Sequence, residues 1–238
     1  VQTCALPILN LTLVSSEHVK RVFEISAFEQ RDKNTNQLVK TIKLEKPVEV
    51  LFEGVNTDIY QKIDDVNESE VWDVLDSIEE DFNFLYVGHW LQGDLGQDRK
   101  DTGMLIKTFL ETFKGKKTKP GLILKTSTAT YSIMDRDDIL EKINKIRAAV
   151  GDDGTLPNVY LLHGELTDSE VNELYNHPKV KAHVTFTKGE GYGRPLIEAS
   201  ISAKPVIASN WSGHIDFLDK DMSVLLPGQI NKIHPSAV

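Results

Sequence analysis

Hydrophobic and polar positions alternate in two different periods along this chain, and the switches between them outline its elements. The run Leu9 to Val14 reads as a strand, and Ser15-Ser16-Glu17 opens a helix with Val19, Val22, Phe23 and Ile25 on its apolar face. The polar stretch 31–37 is a turn or surface loop, and Pro47 to Val55 reads as a strand closing on glycine. A capping box at Asn67-Glu68-Ser69-Glu70 then starts a helix through Val71, Val74, Leu75 and Ile78. Phe82 to Gly88 is a strand, followed by a polar loop to Asp101 and a helix marked by Leu105, Phe109 and Phe113.

The same alternation continues. Leu122 to Leu124 predicts a strand, and Ile139, Ile143, Ile146 and Val150 mark one face of a helix starting near Asp135. Val159 to Leu162 is the next strand, and Thr167-Asp168-Ser169-Glu170 caps a helix bearing Val171, Leu174 and Tyr175. Val184 to Thr187 predicts a strand feeding a glycine-rich turn, with Pro195 at the first position of a helix to Ala203, and Val206 to Ala208 a buried strand. Strand and helix alternating in this way define an α/β protein with a doubly wound parallel sheet. Right-handed crossovers bring the loops after the strands to one edge, where 89–100, 163–166, 188–194 and 209–214 converge on one pocket.

Two units follow from this order. Residues 1–60 hold only strand, helix and strand, too little for a domain, and are expected to be the tail of a second α/β domain; residues 61–238 form the larger unit. The opening VQTCALPI resembles a translated sequencing adapter, which sets residues 1–8 apart from the native chain; a buried strand from Ala5 to Leu13 is the alternative.

Composition narrows the function. In 238 residues, 27 Lys plus Arg face 36 Asp plus Glu, a net charge of −9 that argues against nucleic acid or an anionic membrane as partner. No apolar run is long enough to span a bilayer and no signal peptide is evident, so a cytoplasmic protein without a transmembrane segment is expected. One cysteine and seven histidines without zinc-like spacing give no reason to expect a metal. Asp135-Arg136-Asp137 has the form of a metal-binding Asp-x-Asp, but its place before an amphipathic helix makes it an N-terminal cap. Trp90 and Trp211 sit in pocket-edge loops, where stacking on a ligand and plain packing are both open.

Chemistry concentrates between Val184 and Leu218. Gly189, Gly191 and Gly193 permit close backbone approach to a ligand, and the helix N-terminus behind them favours an anion. Glu190 and Glu198, eight residues apart, both reach the same edge, where a carboxylate could hold two sugar hydroxyls; helix-dipole stabilisation by Glu198 and solvation of Glu190 are the plainer alternatives.

The stretch KGEGYGRPLIEASISAKPVIAS resembles the signature of the retaining glycosyltransferases of the GT-B fold, in particular family 4, the glycosyl transferases group 1: a Glu-x7-Glu pair around a Gly-Tyr-Gly-x-Pro turn. FLYVGHW, NVYLLHGELTDSEVNELY and VEVLFEGVNTDIY extend the resemblance from about Leu9 to Val238. It implies a Rossmann-like C-terminal domain that binds a nucleotide sugar, preceded by a remnant of the acceptor-binding domain and ending before the family's closing helix. The implied reaction is retaining, metal-independent transfer of a sugar, hexosyl transfer (EC 2.4), to an acceptor hydroxyl of a glycan, lipid or small molecule, with no cofactor. By resemblance Glu198 binds the ribose hydroxyls, Glu190 positions the transferred sugar and Lys100 neutralises the leaving diphosphate. The amides of Gly191, Tyr192, Gly193 and Arg194, with Gly213, meet sugar and phosphates, and His163 and Gly164 lie near the base. His89 stands where the family carries arginine, which leaves Arg99 and Arg194 as candidates for the second phosphate cation. A non-catalytic nucleotide-binding module, an inactive fragment and a nucleotide-sugar 2-epimerase are the alternatives, and the chain by itself is expected to bind nucleotide without turnover.

Overall fold

The computed structural model describes residues 10–64, 69–90, 95–128 and 130–231. The expectations for residues 1–8, for a cap at Asn67 and for the chain's closing residues lie outside these.

The N-terminal part begins with β1 (Thr12–Val14) and α1 (Glu17–Ile25), whose first turn is capped by Ser16 Oγ accepting from Val19 N at 3.2 Å. An antiparallel hairpin follows, β2 (Ala27–Arg31) and β3 (Leu38–Lys43), and then β4 (Val48–Val50), which pairs in parallel with β1. The hairpin was not expected from the pattern, because all its residues are exposed and no buried face marks its period. The strand predicted over Pro47 to Val55 is confined to three residues.

Next come α2 (Glu70–Asp76), β5 (Asn83–Val87), α3 (Thr102–Phe113), β6 (Gly121–Lys125), α4 (Ile133–Val150), β7 (Val159–Leu162) and α5 (Asp168–Asn176). The chain continues through β8 (Val180–Val184), α6 (Arg194–Ile201), β9 (Val206–Ser209), a 3-10 turn at Gly213–Asp216 and β10 (Ser223–Leu226). Ser69 caps α2 by accepting from Trp72 N at 3.2 Å. The reciprocal box of Thr167 and Glu170 caps α5. Strand β8 lies four residues before the expected start at Val184, and β10 was not anticipated.

Six strands form one all-parallel sheet in the order β10-β9-β8-β5-β6-β7. From β5 the chain winds outward through β6 and β7, then returns to β8 beside β5 and winds the other way. The neighbours β5 and β8 therefore flank the switch point, where the crevice at the strands' carboxyl ends opens.

Two cores hold the layers together. One face of the sheet packs Leu75, Leu174, Tyr175, Leu196 and Ala199 from α2, α5 and α6. The other packs Leu105, Ile106, Leu110, Ile139 and Ile143 from α3 and α4. Each such aliphatic side chain contributes roughly 1.5–3 kcal/mol by leaving water, and Leu174→Ala would cost about 2–5 kcal/mol.

The segment leading into α2 is tied to α5. Tyr60 donates to Asp168 Oδ1 at 3.0 Å, Gln61 N to Asn172 Oδ1 at 3.2 Å and Ile63 N to Asn176 Oδ1 at 2.9 Å. The two asparagine carbonyls stand in for the backbone partners that an extended segment over a helix lacks. Among the described residues, no helix is long and apolar enough to cross a membrane.

Candidate nucleotide-sugar site

The crevice is built from loops that the winding order brings together. After β5, the chain reaches Arg99 and Lys100 just before α3; after β8, it reaches the glycine turn just before α6. Lys188 N donates to Arg99 O at 2.8 Å, and Lys188 Nζ to Asp98 O at 3.0 Å, so the two loops are laced across the switch point.

Within that lacing, Glu190 takes two cations. Lys100 Nζ lies 2.5 Å from Glu190 Oε1, and Arg99 Nη1 lies 3.1 Å from Oε2 while also donating to Gly189 O at 2.6 Å. The side chains of Lys100 and Glu190 are about nine-tenths buried, whereas Arg99 is half exposed. Burial pushes the Glu190 carboxyl up, but Lys100 and Arg99 together outweigh it and the net shift is downward. The group is ionised at neutral pH.

Ser212 positions this carboxylate from behind, accepting Glu190 N–H on Oγ at 2.8 Å, and Gly213 N donates to Glu190 O at 3.0 Å. A methyl group at Gly213 would fall 2.7 Å from the Gly191 carbonyl carbon and 2.8 Å from Ser16 Oγ. Glycine is needed there by close approach, and its amide is committed to Glu190, leaving it no N–H for a phosphate. Gly193, at φ +99°, is the N-cap of α6, so Arg194 takes the first helical position and Pro195 the second.

Glu198 lies one turn into α6 and is buried. Arg194 Nη2 approaches Oε1 at 3.2 Å, and the Tyr175 hydroxyl reaches Oε2 at 3.5 Å. Burial raises its pKa, and Arg194 offsets only part of that rise. The structure thus places Arg194 on Glu198, and Arg99 beside Lys100 on Glu190. Two carboxylates of one motif sit in opposite environments, one held ionised by cations and one pushed toward protonation.

The remaining residues named from sequence lie farther along the edge. His89 is exposed, with Nδ1 3.1 Å from Ser127 Oγ. The Tyr192 ring is buried, 5.1 Å from Phe217 and 6.4 Å from Phe52, so only its backbone can serve the crevice. Gly191 is exposed. His163 Nε2 lies 2.9 Å from Asp135 Oδ2, and Gly164 turns at φ +136° with its carbonyl accepting from Lys125 Nζ. Asp135 is not the cap of α4; Ser132 is, and the Asp135 carboxylate instead joins His163 and Thr128. Trp90 is packed in the core, while Trp211 is partly exposed and meets His18 edge-on at 4.9 Å.

Three polar residues of the edge were not singled out from sequence. Lys188 and Ser212 stood inside the motif but carried no distinguishing spacing. Lys125 closes an apolar strand and is buried beside Gly164 and the Tyr131 ring, and burial lowers its pKa. A lysine ending the run GLIL was the available signal.

No protein-family model and no curated protein matches the chain. Solved structures do. The C-terminal domain of the glycosyl transferase group 1 family protein LpcC from Francisella tularensis aligns over 73% of this chain and 80% of its own, at 16% identity and a TM-score of 0.53. Sucrose-phosphate synthase from Thermosynechococcus elongatus aligns over 94% of this chain, at 16% identity and a TM-score of 0.63. Anabaena HepE in complex with UDP and glucose aligns over 90%, at 14% identity and a TM-score of 0.59. The chain spans 48% of each of the latter two. The fold is that of the Rossmann-like C-terminal domain of GT-B glycosyltransferases.

Proposed function

We propose that this chain is the donor-binding part of a retaining, metal-independent glycosyltransferase of family 4, in which residues 61–238 hold a nucleotide sugar and residues 1–60 belong to the acceptor-binding domain. The observation that carries the reading is the pairing of Lys100 and Arg99 with Glu190 across the switch point, with Glu198 buried eight residues further on. Two cations at that position suit a diphosphate, and they leave no need for a metal to neutralise it. A buried carboxylate suits the two hydroxyls of a ribose. HepE, crystallised with UDP and with UDP-glucose, lends the ligand class its plausibility.

In this reading the acceptor oxygen bonds to the anomeric carbon on the face from which the diphosphate departs. The carbon–oxygen bond to phosphate breaks, and the acceptor's proton passes to the departing phosphate oxygen. Lys100 and Arg99 stabilise the charge that develops there, and Glu190 orients the sugar. Binding of UDP, GDP and ADP, measured by calorimetry, tests the assignment. The parent should bind at least one, and Glu198→Ala should weaken it; binding within twofold of the parent would sink the proposal.

A further inference from the structure

Among the described residues, Glu198 has one cation within reach. Arg194 Nη2 stands 3.2 Å from Oε1, and the guanidinium is half exposed while the carboxylate is buried. The Tyr175 hydroxyl reaches Oε2 only at 3.5 Å, since its one proton has a nearer acceptor in Pro195 O at 3.1 Å. Burial pushes the Glu198 carboxyl up and Arg194 opposes that rise, so a charged Glu198 depends on where the guanidinium lies.

A second acid competes for that guanidinium. Asp168, the first residue of α5, attracts Arg194 and repels Glu198. Tyr60, buried in the core with Tyr175 and Leu196, donates to Asp168 Oδ1 at 3.0 Å. Burial pushes the Tyr60 phenol up, and Glu198 and Asp168 push it further, so the hydroxyl keeps its proton and remains a donor. The bond it donates takes up charge on Asp168 and weakens the pull of that acid on Arg194.

We propose that Tyr60 is a positioning residue for Glu198: by occupying Asp168 it leaves Arg194 to Glu198, and so sets how strongly the site prefers a ribose to a deoxyribose. The segment before α2 then acts on the ligand only through Asp168, Arg194 and Glu198. Without the hydroxyl, Arg194 is drawn toward Asp168, and Glu198 is left buried without its cation. A carboxyl in that state takes up a proton and accepts hydroxyls less strongly than a carboxylate.

This inference rests on the assignment of Glu198 to the ribose hydroxyls, and the two can fail separately. Affinities for UDP, GDP and ADP and for their 2′-deoxy counterparts are measured by calorimetry on the parent, Arg194→Gln, Tyr60→Phe and Tyr60→Phe combined with Asp168→Asn. For whichever base it binds, the parent should prefer the ribonucleotide about tenfold, the worth of one hydrogen bond to a charged acceptor. Arg194→Gln and Tyr60→Phe should each reduce that preference to about twofold or less. Adding Asp168→Asn to Tyr60→Phe should restore it, because a neutral amide no longer draws Arg194 away. A hydroxyl that merely fastened the segment to α5 could not be replaced in this way. A preference retained in either single variant, or lost in Tyr60→Phe and not restored by Asp168→Asn, overturns the role of Tyr60 and leaves the ribose assignment standing. A parent that binds none of the three diphosphates, or binds the ribose and deoxyribose forms alike, overturns that assignment and this inference with it.

Discussion

Lys100 Nζ lies 2.5 Å from Glu190 Oε1, so a cation from the loop after β5 and a carboxylate from the loop after β8 meet at the place where the sheet's winding reverses. The pair has two consequences. It holds the crevice's two sides together, and, under the proposed function, it puts the Lys100 cation beside the leaving diphosphate.

Replacing Lys100 by methionine keeps the stem and removes the charge. Glu190 would then be buried against Arg99 alone, and its carboxyl would rise, since burial pushes it up and half of the opposing charge is gone. We expect a stability loss of about 2 kcal/mol in denaturant unfolding, below the cost of a wholly unpaired buried charge because Arg99 remains. Nucleoside diphosphate affinity should fall about ten- to hundredfold, the worth of one charge-assisted bond. Unchanged affinity in calorimetry would remove Lys100 from the phosphate site.

Glu198 should separate stability from function. Its folded pKa is raised above the unfolded value, so the folded chain holds a proton that the unfolded chain releases between 4.5 and the raised value. Stability is lost as pH rises through that window, so at higher pH the buried carboxylate is a net burden. Glu198→Gln should therefore raise Tm at pH 7 while weakening nucleotide binding by about tenfold or more, since a neutral amide accepts ribose hydroxyls less strongly. A variant that loses both stability and binding would show that Glu198 is a packing residue held by Arg194.

What the sequence made legible follows the same physics. Caps such as Thr167 with Glu170 and helix faces such as Ile139 and Ile143 are local patterns, and both elements appear where expected. Strand β8 was misplaced because His183, a polar residue, is fully buried within it, so the run from Val180 to Val184 does not look apolar. Strands β2 and β3 lack a buried face, and β10 is a short edge strand. The carboxylates could be read because their spacing belongs to one continuous motif. Lys188 and Ser212 could not, because their importance comes from which loops the winding order makes neighbours.

His183 gives the pH dependence a second source. Both ring nitrogens are buried without a hydrogen-bond partner, and burial, with Lys100 adding and Glu190 opposing, pushes its pKa down to about 3. The unfolded histidine protonates near 6.5, so stability present above 6.5 is lost as pH falls from there toward 3, amounting to about 3 kcal/mol by pH 4. Glu190, whose pKa is lowered, adds a further loss that begins only near 4.5. His183→Leu should make the stability profile below pH 6.5 shallower in denaturant titrations, with His18, His177 and His214, which burial also shifts downward, keeping part of the slope. A profile identical to the parent's would mean that His183 is hydrated in solution.

Gly213 offers the sharpest test of how the glycine turn is held. Its α-carbon faces the Gly191 carbonyl so closely that an added methyl would overlap it, with Ser16 Oγ closing the other side. None of these neighbours is the end of a flexible chain, so Gly213→Ala must part the 3-10 turn from the glycine turn or push α1 away. Either movement breaks the Gly213 N–H bond to Glu190 O and lengthens the Ser212 contact that fixes the Glu190 amide. We expect a destabilisation of about 1–3 kcal/mol, with nucleotide-sugar affinity falling more than overall stability requires. Gly228→Ala, where a methyl group meets open space, serves as the control and should change neither. If Gly213→Ala retains parental affinity, the contact between the two turns is incidental to the site. A loss confined to this variant ties the geometry of Glu190 to the packing behind it.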